Sequence, residues 1–155
     1  MRRIAIITAL LLLTAIVILF LYFFRISGAG HKRDHIIEVL GQPGRVVALK
    51  QWTATTLAQH QTNPAAMIKP PLFINELADS RLDCVSTSIV EGTKEISPHM
   101  LIIITSPFHR FLLILGNEDE IERVYSSDKA PNDNGKSRII RIDSGVWLKY
   151  MGAPR

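Results

Sequence analysis

The sequence predicts an α+β protein: a single N-terminal transmembrane helix, then one small domain with short helices packed on an antiparallel sheet of four to six strands. Three observations lead there. Residues 4–24 (IAIITALLLLTAIVILFLYFF) form an unbroken apolar run. Residues 81–150 are rich in Val, Ile, Leu and Thr in short stretches. Those stretches are joined by connections too short for parallel crossovers, which need a dozen or more residues.

The apolar run, bounded by Ile4 and Phe24, holds no charge, Gly or Pro, and its polar atoms are the hydroxyls of Thr8, Thr14 and Tyr22. As a helix rising about 1.5 Å per residue it reaches roughly 32 Å, against a hydrocarbon core of about 30 Å. Residues 1–25 are therefore read as a membrane anchor, 26–30 (ISGAG) as a flexible link and 31–155 as the soluble domain. A cleaved signal peptide is the alternative, because Ser27, Gly28 and Ala29 allow cleavage before Gly30. A signal peptide's apolar region is shorter, however, about 7–15 residues. Arg2 and Arg3 hold the N-terminus in the cytoplasm, opposed by Arg25, Lys32 and Arg33 on the far side. The bias puts the domain outside the cytoplasm, in the periplasm of a Gram-negative host. Ala5 and Ala9 make a small-xxx-small pair that would permit a homodimer through the anchor.

The formal charge of +4 does not indicate a nucleic-acid binder. Without Arg2, Arg3 and Arg25, 15 basic residues face 14 acidic ones, and the basic residues are scattered singly. A nucleic-acid surface concentrates them on one face.

Within the domain, Asp34 caps a short helix to Leu40, Gly41 ends it, and Pro43-Gly44 turns the chain. Residues 45–52 (RVVALKQW) read as a first strand. Thr53 or Thr55 starts a second short helix to His60. Asn63-Pro64 and Pro70-Pro71 mark a loop, and residues 72–78 a further helix. Residues 82–90 alternate apolar and hydroxylated side chains, the pattern of a strand with one solvated face. Residues 100–105 (MLIIIT) and 111–115 (FLLIL) are strands apolar on both faces, so both faces need cover. Residues 116–119 form a turn, 121–125 a strand, 128–136 (DKAPNDNGK) an exposed loop, and 138–142 with 146–150 the closing strands.

Catalytic and metal signatures are missing from the sequence: no phosphate-binding Gly-Lys-Ser/Thr loop, no His-Glu-x-x-His, no paired Cys-x-x-Cys, no Gly-x-Ser-x-Gly elbow. No cofactor is implied. Cys84 is the single cysteine, so no intramolecular disulfide forms, and it reads as a core thiol facing with Leu82. His31 and His35, four apart, would share a helix face as metal ligands can, yet Lys32 and Arg33 repel a cation there. Cys84, His99 and His109 supply a thiol and two bases, with nothing in the sequence to bring them together. Glu118, Asp119, Glu120 and Glu122 read as a solvated hairpin turn, the ordered alternation of a calcium loop being absent.

The reading that follows is an interaction module: an accessory subunit of an envelope complex, or an inhibitor or immunity-type factor, whose surplus apolar sheet face meets another envelope protein. The alternatives are a membrane-tethered hydrolase using loop histidines and a small lipid or ligand carrier with an apolar cavity beneath 111–115.

Overall fold

Helix and strand alternate in the computed structural model much as the pattern requires, but two segments change type. The structure describes residues 2–64, 68–93, 96–125 and 139–152, and within the first helix the side chains of 2–5, 9 and 22–27 fall outside the description. Helix α1 is Arg2–Gly41, α2 is Arg45–Thr62, and a 3-10 helix covers Leu72–Leu77. Strands β1 (Cys84–Val90), β2 (His99–Thr105) and β3 (Arg110–Leu115) follow. Helix α3 (Glu118–Tyr125), β4 (Ile139–Asp143) and β5 (Val146–Gly152) complete the chain. The chain divides into two units, Met1–Asp34 and His35–Arg155.

In the first unit the apolar side chains described, among them Ile6, Leu10, Ile16, Leu19 and Leu21, are exposed. Among the described residues, no helix is long and apolar enough to cross a membrane. The single-pass anchor is corrected accordingly, and with it the membrane and envelope location and the orientation drawn from flanking charges. The side chains of Arg2, Arg3, Ile4, Phe24 and Arg25, and of Ala5 and Ala9, lie outside the described residues. Lys32 and Arg33 are half-buried, and the Arg33 guanidinium pairs with Asp34 at 2.7 Å. Residues 26–30, expected as a flexible link, are helical backbone within α1.

The second unit is α+β as expected, with five antiparallel strands in the order β1-β2-β3-β5-β4. One face of the sheet carries the main core. Met100, Ile102 and Ile104 of β2, Phe111, Leu113 and Leu115 of β3, and Val146 and Leu148 of β5 pack with Ile36, Leu40, Leu49, Trp52, Ile74 and Leu77 of the helices. Burying a side chain of this size contributes about 1.5–3 kcal/mol. Arg45 fastens the helical layer: it pairs with Glu76 at 2.7 Å and stacks over Phe73 at 5.3 Å. The His35 ring meets the Glu76 carbonyl at 2.9 Å.

Residues 45–52, expected as a strand, belong to α2. The buried residues of that helix are Leu49, Trp52, Thr53 and Thr56, spaced as one face of a helix. Two threonines complete that stripe, so apolar counting alone misses it. The predicted strand at 121–125 is α3. Three acidic residues occupy its first turn, where the helix dipole favours them, and Ile121 with Tyr125 one turn later lies on the sheet. The loop expected at 128–136 lies outside the described residues.

Helix α3 gives the second sheet face its cover. Ile114, Ile121, Ile139 and Trp147 form a smaller buried cluster, with Leu101, Leu112 and Tyr125 against it. The surplus apolar face expected from MLIIIT and FLLIL is thus partly occupied by the chain's own helix.

Candidate functional site

Two places in the second unit stand apart from the core: a cleft at one end of the sheet and the free edge of β1. The cleft, about 500 Å³, lies between α2 and the turns leading into α3 and β5, and Lys50, Leu57, Pro98, Asn117, Glu118 and Ser144 line it. Its charged groups already have partners. Lys50 Nζ lies 2.7 Å from Asp143 Oδ2. Glu118 accepts the Ser144 hydroxyl on one carboxylate oxygen and pairs with Arg141 on the other. Glu120 accepts the backbone N–H of Ser97 at 2.7 Å and its hydroxyl at 3.0 Å. The Lys50 hydrogen bond, then the Ser144 N–H, holds the Asp143 carboxyl below its ordinary value. This network clasps the β4–β5 hairpin to α2 and α3. Of the acidic residues read as a hairpin turn, Glu118 holds the β4–β5 hairpin and Glu120 holds Ser97, each receiving more than one donor.

The thiol and the histidines do not form a dyad. The core position expected for Cys84 is overturned, since Cys84 is exposed at the start of β1. His99 and His109, expected in loops that present them, are 4% and 3% exposed. His99 stands opposite Val90, six residues along β1 from Cys84, or about 20 Å at 3.3 Å per residue. It packs against Tyr125, whose hydroxyl is 3.5 Å from Nε2. His109 faces the Tyr150 hydroxyl at 3.4 Å. Tyr150 belongs to the sheet face of the main core, opposite the face that carries Cys84. Among the described residues, no three His, Cys, Asp or Glu side chains gather as metal ligands. His31 lies in the first unit and His35 in the second.

The edge of β1 is built differently from its counterpart. Its seven residues, CVSTSIV, contain no charge, Pro or Gly. They pair with β2 in unbroken register from Cys84↔Thr105 to Val90↔His99. Val85 and Ile89 pack toward the main core, while Cys84, Ser86 and Ser88 are exposed on the other face. Among the described residues no other backbone hydrogen bond reaches β1, so its outer row of N–H and C=O groups is open. The opposite edge, β4, has five residues, carries Arg141 and Asp143, and breaks register between them. Charges, shortness and bulges are the devices by which edges avoid pairing. β4 has all three and β1 has none. The alternation that marks β1 is legible in the sequence; its place at the edge is not.

No family model matches the chain, and no curated protein or solved structure is significantly similar to it.

Proposed function

We propose that the domain is a protein-interaction module whose docking element is the open edge of β1, which receives an extended segment as an added strand. The observation that carries this is the contrast between the two sheet edges: β4 is protected by charge and a register break, β1 is long, regular and uncharged. Strand addition draws its affinity from main-chain hydrogen bonds and its specificity from alternate side chains. On the core side of the sheet, an incoming strand meets Val85, Thr87 and Ile89, and an apolar residue there extends the core surface. On the other side it meets Ser86 and Ser88, which suit small or hydroxylated neighbours. The domain then selects segments that alternate apolar and small polar residues.

The test is selection of displayed extended decapeptides on the full chain. The expected result is enrichment of sequences with that alternation, with binding lost in a Ser86→Lys/Ser88→Lys variant of unchanged melting temperature. Peptides that bind the variant as well as the parent, or no enrichment at all, would overturn the reading.

A further inference from the structure

We infer that the strand received by β1 is β1 of a second copy of this chain, paired antiparallel about a two-fold axis at Thr87. The inference rests on β1 as the docking edge and goes further, naming the occupant. Its ground is the self-complementarity of the strand. A two-fold axis through Thr87 pairs residue 85 with 89, 86 with 88 and 84 with 90 of the other copy.

The central pairings match like with like. Val85 meets Ile89 on the face of the main core, where both are already packed against it. Thr87 meets Thr87 on the same face. On the other face Ser86 meets Ser88, both exposed. Aromatic or β-branched pairs and Thr or Ser pairs are the favourable cross-strand combinations, and no like charges face each other because the strand has none. Cys84 meets Val90, so the free thiols lie at opposite ends of the joint and do not pair. A shift by one residue would destroy this match, placing either Val85 opposite Ser88 and Ile89 opposite Cys84, or Ile89 opposite Ser86 and Val85 opposite Val90; register is strongly specified where one face is buried. The contact is isologous and closes on itself, as two-fold interfaces do. It joins two five-stranded sheets into one of ten strands, with the charged β4 edges at the outside.

The dyad position gives a direct test. Across an antiparallel pair, directly opposed Cα atoms lie about 4.5–5.5 Å apart, within the usual 4.4–6.8 Å span of a disulfide. In a Cys84→Ser background of the full chain, Thr87→Cys is expected to cross-link to dimer under mild oxidation, many-fold faster than Ser88→Cys, whose partner is Ser86. Adding Ser86→Lys and Ser88→Lys to the Thr87→Cys variant is expected to abolish the cross-link, with circular dichroism melting confirming that each variant is folded. The cross-link reports on β1 alone, so association through any other surface does not imitate it. Equal rates at 87 and 88, or no cross-link at either, would overturn the second-copy assignment. If that happens while selected peptides still bind and the lysine variant rejects them, the docking edge stands and the occupant is another protein. If the peptides fail too, both readings fall.

Discussion

Lys50 Nζ lies 2.7 Å from Asp143 Oδ2, joining helix α2 to the end of β4 across 93 residues of chain. The bond lowers the Asp143 pKa from its ordinary 3.8, with the Ser144 N–H adding to the effect. A carboxyl lowered in the folded state contributes stability that is present above the unfolded value and lost as pH falls through the folded one. Wild-type melting temperature is therefore expected to fall more steeply below about pH 3.8 than that of Asp143→Asn. Both groups are substantially exposed, so high salt shrinks the difference. A scan of melting temperature against pH for both proteins checks this, and parallel curves would refute it.

Gly145 turns β4 into β5 with φ 68°, and a Cβ there would stand 2.5 Å from the Gly116 carbonyl oxygen. The Gly116 N–H in turn donates to the Gly145 carbonyl at 3.1 Å. Gly145→Ala meets both left-handed strain and a backbone clash, and is expected to cost about 2 kcal/mol in urea unfolding. Gly41→Ala is the control with the opposite sign. It ends α1 with open space around it, and alanine there is expected to stabilise by about 0.5 kcal/mol.

The Thr56 hydroxyl is buried on α2 without a hydrogen-bond partner among the described residues. An orphaned buried hydroxyl carries its desolvation cost uncompensated. Thr56→Val keeps the shape and removes that cost, so it is expected to stabilise by about 1 kcal/mol. Calorimetric melting measures it, and a destabilised variant would show that the hydroxyl is satisfied in solution.

Cys84 is a free thiol exposed on the outer face of β1. In the native protein it is expected to react with a maleimide to completion within the time taken by the urea-unfolded chain, to within a few-fold. A thiol that reacts only on unfolding would place Cys84 back in a core.

The strands 84–90, 99–105 and 110–115 were legible because alternation and dense β-branched runs are local signals. Short connections then imply antiparallel neighbours. Helix α2 was hidden because half of its buried stripe is Thr53 and Thr56, whose hydroxyls count as polar although both are buried. Helix α3 was hidden because EDEIERVY offers two apolar contacts, Ile121 and Tyr125, and its acidic first turn resembles a hairpin. Strand β1 was half visible: Ser86 and Ser88 showed a solvated face, while the core position expected for Cys84 fails because its side chain lies on that same exposed face.

By itself, the sequence determined the α+β class, the antiparallel pairing and the lack of a catalytic or metal motif, since each follows from residue types and spacings along a few turns of chain. Tertiary structure alone decided that β1 and β4 are the edges, that α3 rather than a partner covers Ile114 and Trp147, and that Lys50 and Asp143 meet. Those are relations between segments tens of residues apart. They are set by which apolar faces bury each other, and local periodicity carries no record of that choice.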